Sequence, residues 1–430
     1  MIAKGGTLLP QYHFVAAWYY LLTGNISYAS VHAEKAVRLV VETGTPFPEI
    51  LCRLVMAQVL NHEGKRQEAI EQLTITKKII QKMGTLVLEY VSLLTEAQFA
   101  MEKGYEAKCL ESLRKAIALG KEQGYFTIIF FWFPSVMARL CAKALENGIE
   151  VDYVKALIRK LNLFPHAPSL EIENWPYPLK IYTLGRFGLI KDGKPVRFSK
   201  KAQKKPLLLL KALIALGGKR VREDQLADIL YPEAEGDAAH DAFKTTPSRL
   251  RNLIGIEEVV EFYEGRVTLS PNYCYVDAWA FQRILNKYET LLKANPSKDV
   301  SAEAVRLSEK AMNIYRGHFL SDEEEQPWTV SLREELKSKF IRFIVISGHY
   351  YEQEEQWEKA VDYYQKGLEA DNLTEEFYQR LMTCYLRLGR RGEAISVYQR
   401  CYKTLSSVLG IEPSPETDAI YKRITGHISK

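Results

Sequence analysis

Side chains that donate hydrogen bonds to phosphates and nucleic-acid bases are concentrated between residues 244 and 251. They include Lys244, Thr245, Ser248, Arg249 and Arg251. A guanidinium group can bond two acceptors at once, while hydroxyl and ammonium groups bond phosphate oxygens. This set favours binding of a polyanion over bond-making chemistry.

Patterns typical of catalytic, nucleotide-binding or metal sites are absent from the sequence. The eight His are dispersed without HExxH spacing, and neither Gly-x-Ser-x-Gly nor G-x-x-x-x-G-K-[ST] occurs. The six Cys form no CxxC pair, which indicates buried thiols of a cytoplasmic protein rather than a zinc site or disulfides. We expect no enzyme activity, cofactor or metal, and no apolar run is long enough to span a membrane.

The elements that carry these donors are predicted from hydrophobic periodicity. Three helices are expected over 207–216, 221–230 and 238–254, and Gly217-Gly218 ends the first. Two hairpin signals flank them: Asp192-Gly193, which lies within the second of the β-rich runs 179–184 and 188–198, and Glu264-Gly265 between 259–263 and 266–269. Strands, three helices and a hairpin are the element order of a winged helix.

The third predicted helix has one apolar face, formed by Ala239, Phe243, Leu250 and Leu253. Burial of that face turns the donors outward: Lys244, Ser248 and Arg251, flanked by Thr245 and Arg249. An α-helix fits the major groove of DNA, where such side chains bond base edges. Arg266 follows the second hairpin turn, where a wing would meet the minor groove or the backbone.

Pro247 leaves two geometries open for this helix. In a helix interior, proline costs about 3 kcal/mol and often kinks the chain. Alternatively, Thr246 caps a helix whose first residue is Pro247. The two geometries point different side chains outward.

The net charge is +5, of which residues 178–278 carry +4. Lys200, Lys201, Lys204 and Lys205 precede the first predicted helix. A solvated charge run is the simpler interpretation of these lysines. Phosphate contact is the alternative, and each contact would add about 0.9 to the salt slope of binding.

Internal repeats flank this segment. Residues 1–165 repeat every 40 positions, as in Ala17, Ala57 and Ala97, and in Gly24, Gly64 and Gly104. Residues 279–430 repeat every 34 positions, the tetratricopeptide period, as in Phe343 and Phe377, and in Ala360 and Ala394. Residues 166–178 contain three prolines and are predicted to be a linker.

Stacked helix pairs leave a concave groove, for which binding of peptides, proteins or small ligands is expected and an empty scaffold is the alternative. An aromatic cluster lies near the end of the first repeats: Tyr125, Phe126, Phe130, Phe131, Trp132 and Phe133. Helix packing is the simpler interpretation of this cluster, and a small-molecule site is the alternative.

Residues 179–278 resemble the OmpR/PhoB-type winged helix of the antibiotic-regulatory-protein (SARP) family of bacterial transcription activators. The resemblance rests on the stretches 207–213 (LLLLKAL), 225–232 (QLADILYP) and 248–255 (SRLRNLIG). Residues 275–281 (YVDAWAF) resemble the junction into that family's transcriptional activation domain, a tetratricopeptide bundle. The N-terminal repeats are similar to those of large regulators related to the maltose-regulon activator, whose ATP-hydrolysing domain has no counterpart in this sequence. A naturally short form and a fragment are both compatible with that difference.

The resemblance implies roles for individual residues. The residues expected to contact bases are Lys244, Thr245, Ser248 and Arg249. Arg249 is the strongest candidate because arginine bonds guanine bidentately. Thr246 and Arg251 are expected to contact phosphates, and Arg266 is expected to make the wing contact.

We expect a mainly α protein with two tetratricopeptide-like helical-repeat domains, 1–165 and 279–430, flanking an α+β winged-helix domain at 179–278. Its expected function is sequence-specific regulation of transcription on double-stranded DNA, as an activator, in the bacterial cytoplasm. RNA polymerase or other regulatory proteins, and a small-molecule effector, are the expected partners of the repeat domains. The alternative is a tetratricopeptide interaction scaffold that binds no DNA.

Overall fold

The computed structural model describes residues 8–126, 133–164, 172–197, 204–234, 236–294, 302–323 and 326–426. The chain folds into two compact units, residues 1–176 and 177–430, whose boundary falls inside the predicted linker. Some residues singled out above lie outside the described ranges: Phe130, Phe131, Trp132, Lys200 and Lys201. None of the described helices is long and apolar enough to cross a membrane.

The first unit is built from helix pairs. Its described helices are α1 (Leu8–Leu22), α2 (Ile26–Thr43), α3 (Pro46–His62), α4 (Arg66–Met83), α5 (Leu86–Glu102), α6 (Glu106–Gln123), α7 (Pro134–Glu146) and α8 (Val151–Lys160). Helices α2, α4 and α6 begin 40 residues apart, which is the predicted period. Gly24, Gly64 and Gly104 lie in the turns at φ of +80°, +80° and +74°, a region that residues with a Cβ rarely adopt.

Small and aromatic side chains fill the core of this unit. Ala17, Ala57 and Ala97 are fully buried, so that helices of successive pairs can approach closely. The described members of the aromatic cluster pack in pairs of rings: Tyr125 with Tyr90, Phe126 with Tyr153, and Phe133 with Trp18. Helix packing therefore accounts for these three residues.

The second unit begins with short strands and helices. They are β1 (Leu179–Tyr182), β2 (Gly188–Lys191), β3 (Lys194–Pro195), α9 (Lys204–Ala215), β4 (Val221–Arg222), α10 (Glu223–Leu230), α11 (Gly236–Phe243), α12 (Thr246–Ile254), β5 (Val260–Tyr263), β6 (Arg266–Leu269) and β7 (Cys274–Val276). One sheet has the order β3-β2-β1-β7, with β1 and β7 parallel, and the other has the order β4-β6-β5. Both predicted hairpins form.

Helices make up the remainder of the second unit. They are α13 (Asp277–Ala294), α14 (Ala302–Ile314), α15 (Pro327–Gln353), α16 (Trp357–Ala370), α17 (Glu375–Arg387), α18 (Arg391–Val408) and α19 (Pro415–Thr425). The repeat positions Phe343, Phe377, Ala360 and Ala394 are buried. Helix α13 crosses the predicted boundary between residues 278 and 279, and the segments on either side belong to one compact unit.

Candidate nucleic-acid interface

Helix α12 begins at the position where proline is tolerated. Helix α11 ends at Phe243, Lys244 and Thr245 form a turn, and Pro247 lies in the first turn of α12. The missing N–H of a proline costs no helical hydrogen bond there. The single helix predicted over 238–254 is therefore wrong, and the alternative start at Pro247 differs from the structure by one residue.

The two faces of α12 differ sharply in exposure. The buried side consists of Thr246, Pro247, Leu250 and Ile254, whereas Ser248, Arg249 and Asn252 are exposed. Phe243 and Leu250 are buried as predicted, and Leu253 is half-buried. A short helix with one polar, basic side is thus held by its apolar side against the unit.

Arg249 is the basic side chain on the exposed side of α12. Its guanidinium makes no hydrogen bond or ion pair with any residue that the structure describes. The neighbouring Ser248 hydroxyl has no protein partner within the same ranges. Both groups keep their full hydrogen-bonding capacity for another molecule.

Lys244 and Thr245 are exposed in the turn before α12, next to Ser248 and Arg249 along the chain. The Lys244 ammonium lies 2.7 Å from the Asp241 carboxylate, in an exposed pair three residues apart. Exposed pairs of this kind contribute little free energy, because water and salt screen the two charges. A phosphate could therefore displace Asp241 at small cost.

Two residues predicted to contact phosphate, Thr246 and Arg251, have partners inside the protein. Thr246 is fully buried, and its hydroxyl shares a 2.8 Å hydrogen bond with the hydroxyl of Tyr231. Arg251 donates from Nε and Nη2 to the carbonyl of Val260, at 3.1 and 2.9 Å, and its guanidinium lies over the ring of Phe262. The Thr246 hydroxyl thus lies inside the fold and anchors α12, and Arg251 ties α12 to β5 through two of its guanidinium nitrogens.

The two lysines that begin α9 also differ from each other. Lys205 donates to the carbonyl of Leu230 and lies 4.6 Å from the ring centroid of Tyr231. These contacts hold α9 against α10. Lys204 is exposed.

The outer face of the β4-β6-β5 sheet carries a row of exposed residues. Arg266 on the central strand lies directly opposite Arg222 on β4 and Tyr263 on β5. Directly paired residues point to the same face, so the three side chains cross the sheet together. Tyr263 is 68% exposed, and Arg266 donates to the carbonyl of Arg220.

The sequence pattern indicates Arg266 in this row but not Arg222 or Tyr263, nor the neighbouring Arg220. The predicted helix over 221–230 is wrong at its start, because Val221 and Arg222 form strand β4. The available signal was the alternation of buried Val221 and Val267 with exposed Arg222 and Arg266. Arg222 also forms an ion pair with Asp224, so the carboxylate partly offsets the positive charge that Arg222 presents at this face.

A buried carboxylate holds the start of α13 against the first sheet. The oxygens of Asp277 accept hydrogen bonds from the Thr183 and Leu184 N–H groups, the Thr183 hydroxyl and the Ala278 N–H. Burial raises the pKa of Asp277, and these four donors oppose that shift. Asp277 thus joins β1 to the helices that follow.

Residues 276–425, which run from the end of β7 through α19, match the family model described as "Bacterial transcriptional activator domain". This match covers the segment in which the 34-residue repeat was found. It leaves the segment with α12 and the β5–β6 hairpin outside.

Two similar proteins come from Streptomyces. The regulatory protein AfsR of Streptomyces griseus is 24% identical over 226 residues, which is 50% of this chain and 22% of AfsR. The transcriptional regulator RedD of Streptomyces coelicolor is 25% identical over 215 residues, which is 48% of this chain and 59% of RedD. This chain thus matches about a fifth of one relative and about three fifths of the other.

Among solved structures, Mycobacterium tuberculosis EmbR, in complex with a low-affinity phosphopeptide, is 20% identical with a TM-score of 0.44. The likeness covers 59% of this chain and 66% of that one. The activator-domain match and the two Streptomyces relatives together support the predicted similarity to SARP-type regulators of transcription.

Proposed function

We propose that this chain is a sequence-specific DNA-binding regulator of bacterial transcription, an activator, in which residues 179–278 act as a winged-helix domain. Helix α12 lies in the major groove, and the β5–β6 hairpin is the wing. The observation that carries the proposal is the exposed side of α12, where Arg249 has no partner among the described residues. The element order of strands, helices and hairpin supports it.

The proposed contacts divide between bases and backbone. Arg249 and Ser248 contact base edges, and Lys244 and Thr245 lie at the end of α12 that enters the groove. Arg266 and Arg220 on the hairpin sheet contact phosphates or the minor groove, and Lys204 adds a backbone contact.

The repeat regions serve other partners in this proposal. Residues 276–425 contact RNA polymerase or another regulatory protein, which the activator-domain match supports. The first unit binds an effector or a further protein in its grooves.

The electrostatic part of this proposal is tested by fluorescence anisotropy with a labelled random-sequence duplex, between about 50 and 200 mM salt. We expect affinity to fall steeply with salt, and Arg266→Ala to reduce the slope by about one. Arg159→Ala, which removes an exposed arginine of the first unit, is the charge-matched control and should leave the slope unchanged. Absence of binding at low salt would contradict DNA binding.

A scaffold without DNA binding is the second candidate. It is favoured by the pairing of Lys244 with Asp241 and by four glutamates in and before the hairpin: Glu257, Glu258, Glu261 and Glu264. These carboxylates repel a phosphate backbone. The same titration separates the two functions, because a scaffold binds the duplex at neither salt concentration.

A further inference from the structure

The first unit contains a groove between α4 and α5 with a volume of about 540 Å³. Its floor is apolar and is formed by Leu73, Ile80, Leu93 and Phe99, each less than a tenth exposed. A volume of this size lies within the range of small-molecule sites, roughly 300 to 1,000 Å³. The groove can therefore take a compact apolar group.

The rim of this groove is basic. Lys77 and Lys78 line it from α4, and Lys103 and Lys108 line it from the end of α5 and the start of α6. Glu89 and Glu96 are the acidic lining residues. Four positive charges against two negative ones leave the rim cationic.

The 40-residue register shows that three of these four lysines are particular to this groove. Equivalent positions in the other repeats hold Val37 and Ile117 for Lys77, Thr23 and Glu63 for Lys103, and Tyr28 and Glu68 for Lys108, whereas Lys78 corresponds to Arg38 and Ala118. Apart from Arg38, the other helix pairs form with apolar, neutral or acidic residues there. Helix pairing does not require the lysines, so their concentration at one groove needs another explanation.

A half-buried carboxylate holds part of the rim in place. Glu96 replaces Ala16 and Met56 of the earlier repeats, and its oxygens lie 2.9 Å from the Lys77 ammonium and 3.6 Å from that of Lys108. The ammonium of Lys103 lies 5.9 Å from the ring centroid of Tyr105, which is 59% exposed. Lys78 and Lys103 form no ion pair with any described residue, so their charge is available to a ligand.

We propose that the α4–α5 groove binds a small amphipathic anion, with its apolar body on the Leu93 and Phe99 floor and its charged group at Lys78 and Lys103. The uncompensated lysines of the rim favour a ligand with a negative charge, and the apolar floor favours a ligand with an apolar body. The proposal stands independently of DNA binding.

The test is fluorescence titration of the full chain with two dyes that share an aromatic body. They are the anionic 8-anilinonaphthalene-1-sulfonate and the neutral N-phenyl-1-naphthylamine. Thr74→Trp fills the groove from its exposed rim, and Lys78→Glu with Lys103→Glu reverses the free charges. Lys35→Glu with Lys82→Glu, on exposed positions outside the groove, makes the same change of charge.

We expect Thr74→Trp to weaken binding of both dyes at least tenfold. The Lys78 and Lys103 reversal should weaken only the anionic dye by that factor, and the control pair should change neither. Equal affinity for the two dyes, or no binding of either, would overturn the proposal. Anion binding that survives Thr74→Trp would place the dye elsewhere, as on the exposed Tyr12 and Tyr19 of α1, and would overturn it equally.

Discussion

At the scale of single residues, two arginines two positions apart in α12 have opposite roles. Arg251 is half-buried and bonds the Val260 carbonyl, while Arg249 is exposed and bonds nothing among the described residues. Sequence position alone suggested that both would contact DNA. The difference arises because α12 packs against β5 on the side that carries Arg251.

Arg251→Ala should therefore lower the free energy of unfolding by about 2 kcal/mol, because it removes charge-assisted bonds to Val260 and the contact with Phe262. Arg249→Ala should change that free energy by less than about 0.5 kcal/mol. Urea denaturation of the two variants makes the comparison. Equal losses would contradict the division of roles between them.

Gly218 is constrained by a neighbouring ring. Its φ is +68°, and a Cβ there would lie 2.2 Å from Trp279 side-chain atoms. Gly218→Ala should cost about 3 kcal/mol, from the left-handed backbone and from displacement of the indole. Gly217→Ala, at φ +86° with open space around it, should cost about 1 kcal/mol. Thermal denaturation compares the stability of the two variants. A larger loss of stability with Gly217→Ala than with Gly218→Ala would contradict this account.

At the scale of elements, the break between α11 and α12 decides which side chains are exposed. Pro247→Ala tests this break. Proline in the first turn fits the helix, so we expect a loss of about 1 kcal/mol from the smaller buried side chain. A proline in the interior of one continuous helix would instead yield about 3 kcal/mol of stabilisation when replaced by alanine. Urea denaturation shows whether the substitution lowers or raises the free energy of unfolding.

The helices and hairpins of the second unit were largely predictable, since local chemistry determines them. Asp192-Gly193 and Glu264-Gly265 adopt positive φ at both positions, as the tight hairpin turns require. Strand β7 was not predictable, because its three residues are all buried and show no alternation of apolar and polar positions. The burial of Thr246 depends on Tyr231, fifteen residues away, and no local pattern indicates such a contact.

The ion pairs between α4, α5 and α6 make the first unit sensitive to acid. Although burial alone would raise the pKa of Glu96, its bonds with Lys77, Ser112 and Lys108 hold that pKa below the usual value of 4.5. Because the folded state lowers this pKa, ionised Glu96 stabilises the fold above pH 4.5. The contribution is lost as the pH falls from 4.5 through the lowered folded-state pKa. Glu96→Gln should therefore cost about 1 kcal/mol at pH 7, and this cost should shrink as the pH falls from 4.5 through the lowered folded-state pKa. A loss that is independent of pH in urea denaturation would contradict this account.

At the scale of the whole molecule, the sequence predicted repeats on both sides of a mixed segment, and the two compact units of the chain meet near residue 176. The unity of residues 177–430 was not predictable. It is supported by Asp277, whose bonds to Thr183 span 94 positions of the chain, and by the bridge between Leu184 and Phe319. A period or a turn signal contains no information about such a distant partner.

The central claim is that the exposed side of α12 recognises DNA sequence. Selection from a random duplex pool with the full chain, in parallel with Arg249→Ala and the control Arg159→Ala, tests it most directly. We predict one enriched motif for the unchanged chain and the control, and loss of enrichment at one or two base pairs with Arg249→Ala. An identical motif with all three proteins, or no motif with any, would contradict the assignment of α12 as the element that contacts bases.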